Sequence, residues 1–173
     1  MTVRPRDPLL GVARFVLRAA MAVFILAAAA LTILIPVMLV MRDKLLAELA
    51  GQGAPPEAIW AIAAILLLAA GAAVLGFYFF RNLYRIVASV GEGDPFVPIN
   101  AERLRAMGWI VVAVHVLGIP LAAIARWVES VTENSHTDIE MTFSGLLLAL
   151  ILFILARVFR KGTEMRAELE GTV

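Results

Sequence analysis

The chain contains no cysteine, which excludes disulfide bonds, thiolate metal sites and cysteine nucleophiles. It is also poor in charge, because Asp, Glu, Lys and Arg make up 17% of its residues, where soluble proteins carry about 25%. In contrast, 62% of the residues are hydrophobic. A single soluble domain of this length has too little interior for so many apolar side chains. The composition therefore indicates one domain embedded in a lipid bilayer.

Sequence motifs typical of enzymes are absent as well. The chain has no P-loop, no glycine-rich dinucleotide fingerprint, no G-x-S-x-G elbow and no H-E-x-x-H zinc motif. Few polar residues interrupt its apolar runs, whereas membrane enzymes and transporters collect such residues there. With a net charge of only +1, the sequence predicts a non-enzymatic protein without catalytic residues, cofactor or direct contact with nucleic acid.

Four apolar runs approach or exceed the roughly 20 residues that cross a bilayer as a helix. The predicted spans cover about residues 15–40, 58–80, 106–128 and 141–159. The fourth span is the shortest and contains Arg157, whose side chain can reach the headgroups from near a helix end. We therefore predict an all-α integral membrane four-helix bundle that forms one domain of residues 1–173.

Basic residues are distributed unevenly between the segments that join these spans. Twelve of the fifteen Lys and Arg residues lie in the N-terminus, the loop of residues 81–105 and the C-terminal segment that begins at Arg157, and three lie in the other two loops. The positive-inside rule places both termini and the 81–105 loop in the cytoplasm. Trp60, Trp109 and Trp127 lie at span ends, where indole rings prefer the membrane interface. The predicted topology is N-in/C-in.

His115 is the only ionisable residue deep within a predicted span. Ionisable residues in membranes often mark a binding site or proton path, but a neutral imidazole bonded to Thr32 or to a carbonyl freed by Pro120 is also compatible with the sequence. Pro36 and Pro120 each remove a helical hydrogen bond and favour a kink. Together these residues define a candidate ligand site at an outward cavity: His115, Thr32, Pro36 and Pro120.

The third loop carries Glu129, Glu133, His136, Asp138 and Glu140. Such side chains can bind a divalent cation, but their spacing matches no known metal loop. A solvated acidic loop explains them better, so no metal site is predicted.

The 81–105 loop has more sequence detail than a simple connection requires. The second span is expected to continue as a helix beyond the membrane until Gly91 and Gly93 end it. Asn100 is expected to be the N-cap of the next helix. Phe96 is then an isolated aromatic ring between two prolines.

The tail is expected to continue the fourth helix as an amphipathic cytoplasmic extension. Val158, Gly162, Met165 and Leu169 recur at helical spacing and share one face. This face could cover the chain's own loop at residues 91–105, the membrane surface or a protein partner, and the sequence leaves all three open.

Two segments carry a family resemblance. "GDPFVPINAERLRAMGW" resembles the signature G-x-P-F…N…R-L-R-x-I-G of a bacterial family of four-span membrane proteins, domain of unknown function 2975. "RVFRKGTEMRAELEGTV" resembles the ending of that family, V-F-x-x-G-x-x-L-R…E-L-T-V, although Met165 and Gly171 stand where the family usually has leucine. The matching positions are Gly93, Pro95, Phe96, Asn100, Arg103, Leu104, Arg105, Gly108, Val158, Phe159, Gly162, Arg166, Thr172 and Val173.

The resemblance implies a protein of the bacterial cytoplasmic (inner) membrane. Many members are encoded beside a small helix-turn-helix regulator, which implies a regulatory or sensory role with such a soluble protein as partner. The motifs that resemble the family lie in the segments predicted to be cytoplasmic. The predicted partner-binding residues are therefore Phe96, Asn100, Arg103, Arg105, Phe159, Gly162, Met165, Arg166 and Leu169. The alternatives are a small-molecule binder or permease with its cavity near His115, and a haem or redox carrier through the same residue. A homo-oligomer is compatible with each.

Overall fold

The computed structural model describes residues 8–91, 96–131 and 143–170. These residues form five α-helices with short connections, which confirms the all-α prediction. The helices are α1 (Pro8–Val40), α2 (Arg42–Gly51), α3 (Ala58–Gly91), α4 (Pro98–Val131) and α5 (Ser144–Glu170).

Three of these helices, α1, α3 and α4, are long and apolar enough to cross a membrane. The fourth predicted span corresponds to α5, but its first residues lie outside the described ranges. The described apolar part of α5 runs from Ser144 to Ala156 and is followed by Arg157, Arg160 and Lys161. The structure therefore shows a membrane-type helical chain, and the fourth crossing stays a prediction.

The helix α2 was not expected from the sequence, which was interpreted as a loop between the first two spans. Met41 accepts a hydrogen bond from the amide of Leu45 and donates one to the carbonyl of Val37, so α2 follows α1 almost without interruption. Gly53 ends it with a left-handed backbone (φ 74°). The Gly53 amide bonds the Ala50 carbonyl and the Ala54 amide bonds the Leu49 carbonyl, which is a Schellman C-cap.

The predicted ends of the helices beside the 81–105 loop are partly confirmed. The helix α3 continues past the expected membrane boundary and ends at Gly91, whereas Gly93 lies outside the described residues. The prediction that Asn100 caps α4 is wrong, because α4 begins at Pro98 and the backbone N–H of Asn100 already donates to the Val97 carbonyl. Proline is favoured at the first helical position, since its fixed φ suits a helix and its missing N–H is not needed there.

The described chain divides into two compact units, of which the first comprises Met1–Val23, Gly76–Val112 and Phe143–Val173. Its core brings together α3, α4 and α5. Gly108 allows the ring of Phe153 to approach α4 closely, and that ring lies 5.4 Å from the ring of Trp109. The buried core residues are Ile86, Leu104, Met107, Val111, Ala149, Leu152 and Ala156.

The first segment of α1 belongs to the same unit and contacts the end of α3 through two arginines. The Arg14 guanidinium donates to the carbonyl of Ala88 (3.3 Å) and lies directly against Gly91, where a Cβ atom would overlap it. It thereby satisfies one of the last carbonyls of α3, which have no helical partner. Arg18 donates to the Tyr84 hydroxyl (2.6 Å) and lies over its ring.

The second unit comprises Phe24–Leu75 and Ala113–Thr142. Small residues dominate its buried positions, as expected for membrane helices that pack closely. The buried alanines include Ala58, Ala70, Ala73, Ala122 and Ala125, and two larger side chains, Met38 and Ile59, are buried with them.

Candidate functional site

The candidate site is the loop–tail surface, which we define as residues 96–105 at the start of α4 and residues 159–169 of α5. All of these residues belong to the first compact unit. They contain the nine residues that the sequence suggested for partner binding.

Phe96 fixes the tail to the loop. Its ring lies 5.4 Å from the ring of Phe159 on α5. A Cβ atom at Gly162 would lie 2.9 Å from the Phe96 ring, so a glycine allows this close approach. The hydroxyl oxygen of Thr163 lies 3.1 Å from the Phe96 carbonyl and 2.9 Å from the Phe159 carbonyl, and it can donate its one proton to either.

The sequence left three possible contacts for the apolar face of the tail: the chain's own loop, the membrane surface or a protein partner. The structure shows that the chain's own loop covers this face at Gly162. The remainder of that face stays open, because Val158, Met165 and Leu169 are all exposed, the last by 72%.

Asn100 is the centre of a buried polar network beneath the same surface. Its side chain has no exposed area. Its amide nitrogen donates to the Ser89 hydroxyl (2.7 Å), which donates in turn to the Ile86 carbonyl (2.8 Å). Arg103 completes the network by donating to the Asn100 side-chain oxygen (2.9 Å) and to the Arg85 carbonyl (3.2 Å).

This network connects the last turns of α3 with the first turns of α4. Buried polar groups of this kind are costly unless they are satisfied, and here they fix the geometry of the loop. Asn100 and Arg103 therefore shape the surface, and the Asn100 side chain is not accessible to a partner in this conformation.

Two ion pairs lie on the exterior of the loop–tail surface. Arg160 of α5 bonds Glu102 of α4 at 2.9 Å, and Lys161 bonds Glu164 one turn further along α5 at 3.4 Å. The four side chains are more than half exposed, so each pair contributes little to stability. Their position matters more, because the pair between Arg160 and Glu102 bridges the space between the two helices.

A groove of about 560 Å³ lies between the first turns of α4 and the α5 tail. Ile99 is half-exposed there. The groove is lined by Pro98, Ile99, Ala101, Glu102, Arg160, Thr163, Glu164 and Ala167.

The nine predicted partner-binding residues thus occupy different positions. Phe96, Phe159 and Gly162 hold the loop and tail together, and Asn100 with Arg103 forms the network below. The remaining predicted residues have exposed side chains: Arg105, Met165, Arg166 and Leu169.

Sequence reasoning missed Ser89, Thr163 and the residues that line the groove. A pattern of helical spacing could have identified Thr163, because it lies one turn after Phe159. No local pattern connects Ser89 with Asn100, since their contact depends on how α3 and α4 pack.

The four predicted ligand-binding residues all belong to the second unit. Thr32 donates its hydroxyl proton to the Ala28 carbonyl (2.7 Å), one turn back in its own helix. His115 is half-buried, whereas Pro36 and Pro120 are exposed and lie inside continuous helices. Ligand binding by these residues stays a prediction.

The second unit does contain a cavity of about 350 Å³, but none of these four residues lines it. It lies where α2 packs beside the end of α1 and the start of α3. Its lining is apolar except for Glu48 and Gln52, and includes Leu34, Met38, Leu49, Ile59 and Leu66.

No group of three or more potential metal ligands occurs among the described residues. Most of the acidic loop considered as a cation site, including Glu133, His136, Asp138 and Glu140, lies outside that part of the chain.

Comparison with known proteins gives one match. The sequence model of the family described as "Protein of unknown function (DUF2975)" matches residues 41–173, which covers α2 to α5 and the whole loop–tail surface. No curated protein and no solved structure matches the chain. Because the match covers well over half of its length, the chain belongs to the DUF2975 family.

Proposed function

We propose that this chain is a non-enzymatic regulatory membrane protein that binds a soluble protein partner on its loop–tail surface. The groove between the first turns of α4 and the α5 tail is the observation that carries the proposal. It combines an apolar interior with charged residues at its edge, which is typical of surfaces that bind an amphipathic helix.

The groove is held open by contacts within the chain itself. The Phe96 ring stacks against Phe159, Thr163 bonds the loop backbone, and the Asn100 network fixes the start of α4. A groove that such contacts shape in advance binds a partner at a smaller cost in conformational entropy, which favours affinity.

Exposed apolar side chains extend the binding surface beyond the groove. Met165 and Leu169 lie on the tail, far from the apolar part of α5, and are 51% and 72% exposed. Apolar side chains in this position favour a protein partner, since large exposed apolar residues on a polar segment commonly mark an interface. The family resemblance suggests a small helix-turn-helix regulator as that partner.

The proposal includes the orientation of the chain. With α5 as a fourth span in a bacterial inner membrane, the positive-inside rule places the loop and tail together in the cytoplasm, where such a regulator is found.

A pair of matched variants tests the proposal. Ala167→Gln places a longer side chain in the groove, whereas Ala47→Gln makes the same change at an exposed position of α2. The tagged full-length chain is captured from native membranes, and each co-purifying soluble protein is then purified and titrated against the chain. We expect binding to weaken at least about tenfold with Ala167→Gln, as for truncation or blocking of an interface hot spot, and to be unchanged with Ala47→Gln. If no soluble protein depends on the groove, the proposal is wrong.

A further inference from the structure

A second pocket lies between α4 and α5 beside the groove, with which it shares Arg160 and Glu164. Its volume is about 770 Å³, within the range of small-molecule sites. Its lining combines four basic side chains and one acidic side chain with an apolar wall: Arg105, Phe153, Ala156, Arg157, Val158, Arg160, Lys161 and Glu164.

The basic residues are concentrated beyond what the fold requires. Arg157, Arg160 and Lys161 are spaced by three and four residues on α5, so they share a face and repel one another. Arg160 and Lys161 have carboxylate partners in Glu102 and Glu164. Within the described ranges, no carboxylate pairs with Arg105 or Arg157, and both side chains are exposed. The pocket therefore offers two guanidinium groups to an anion.

The position of the pocket indicates which anion it binds. Arg105 comes immediately before the apolar stretch of α4, and Arg157 comes immediately after the apolar stretch of α5. Trp109 is 58% exposed, as expected for an indole at the membrane interface, and its ring contacts Phe153 in the pocket wall. With α4 and α5 both as membrane spans, the pocket lies where the hydrocarbon region meets the headgroups.

We propose that this pocket binds the headgroup of an anionic phospholipid. Arg105 and Arg157 would hold the phosphodiester, because guanidinium groups form paired, charge-assisted hydrogen bonds with phosphate oxygens. The apolar wall at Phe153 and Val158 would contact the start of an acyl chain. Basic pockets between membrane helices bind anionic headgroups by the same combination of forces. This site adjoins the groove of the proposed function and shares Arg160 and Glu164 with it, but Arg105 and Arg157 line only the lipid site.

An acidic segment of a protein is the competing occupant. The surroundings favour the lipid, because Ile154, Leu155 and Val158 beside the basic residues of α5 are exposed apolar side chains that acyl chains would cover. A soluble peptide would have to displace lipid from these residues.

The test measures lipid binding to the purified full-length chain by native mass spectrometry. The probes are phosphatidylglycerol, phosphatidylcholine with the same acyl chains, and glycerol 3-phosphate as a headgroup without chains. We expect the wild-type chain to bind phosphatidylglycerol about tenfold more tightly than phosphatidylcholine. Both lipids carry the phosphodiester, but the choline cation of phosphatidylcholine is repelled by the four basic side chains of the pocket. Glycerol 3-phosphate should bind far more weakly than either lipid.

The variant Arg105→Gln/Arg157→Gln should lose the preference for phosphatidylglycerol. Arg42→Gln/Lys44→Gln removes the same amount of charge from α2 and should keep the preference for phosphatidylglycerol. Arg105→Lys/Arg157→Lys keeps the charge and should retain part of the preference even if the glutamine variant folds poorly. The proposal is overturned if the wild-type chain shows no preference for phosphatidylglycerol, or if the α2 variant loses that preference to the same extent as Arg105→Gln/Arg157→Gln. It is also overturned if glycerol 3-phosphate binds as tightly as phosphatidylglycerol, or if an acidic peptide displaces the lipid.

Discussion

The ring of Phe96 covers Gly162 so closely that a single methyl group added to the glycine would lie 2.9 Å from the ring. This contact joins the two segments that resemble family signatures, one in the 81–105 loop and one in the tail. It explains why a phenylalanine and a glycine stand at these two positions, since the aromatic ring packs where its neighbour has no side chain. The motif residues thus form a joint between loop and tail.

Gly162→Ala should weaken this joint. The methyl group must displace the Phe96 ring, and overpacking of this kind costs about 1–3 kcal/mol, partly offset by the higher helix propensity of alanine, about 0.5–1 kcal/mol. We expect a lower Tm in detergent and faster hydrogen exchange in residues 159–169.

Gly71→Ala is the matched control, because nothing lies within 4 Å of the added Cβ atom in α3. It should leave the Tm unchanged or raise it slightly. Adding Phe96→Leu to Gly162→Ala should recover part of the lost stability. Equal effects of the two glycine substitutions would contradict the close packing of Phe96 on Gly162.

Removal of the buried amide at Asn100 should be more damaging than any change at an exposed charge. Asn100→Ala removes the buried donor to the Ser89 hydroxyl and the acceptor for Arg103, which then keep only their bonds to the Ile86 and Arg85 carbonyls. We expect a loss of about 1–3 kcal/mol in the free energy of unfolding, measured by chemical denaturation.

Asn82→Ala provides the comparison for that experiment, because the Asn82 amide bonds only the Tyr78 carbonyl of its own helix at an exposed position. Its effect should remain below about 0.5 kcal/mol, as for most surface substitutions. A similar loss in both variants would show that the Asn100 network does not stabilise the loop.

The ion pair between Glu102 and Arg160 should contribute little, despite its short distance of 2.9 Å. Both side chains are more than half exposed, so water and salt screen the attraction. Glu102→Gln should therefore change the free energy of unfolding by less than about 1 kcal/mol. A larger loss, insensitive to salt, would indicate that the pair is shielded from water.

The periodicity and composition of the sequence were enough to predict the helical class, the membrane-type spans and the extension of α3 to Gly91. These features depend on residues close together in the chain. The same local reasoning failed at Asn100, whose type favours an N-cap but whose position two residues after Pro98 places it inside the helix. It also missed α2, because its signal is short and lies beside a much stronger apolar run.

The contacts that build the loop–tail surface could not be predicted, since they join residues far apart in the sequence. Phe96 was recognised as unusual, but its partners Phe159 and Gly162 lie more than sixty residues away. Only the packing of α4 against α5 brings them together. The sequence therefore identified most of the important residues and left open whether they contact the chain itself or another molecule.

The number of membrane crossings can be determined with single cysteines, because the chain has none of its own. Glu48→Cys places a thiol on α2, and Ala167→Cys places one on the tail; both positions are exposed. If α5 crosses the membrane, these two positions lie on opposite sides, so a membrane-impermeant maleimide applied to intact cells should label Glu48→Cys and spare Ala167→Cys. Both should react after the cells are permeabilised. Labelling of both positions in intact cells would mean that only α1, α3 and α4 cross, which would place the loop and tail on different sides and contradict the contact between Phe96 and Gly162 as well.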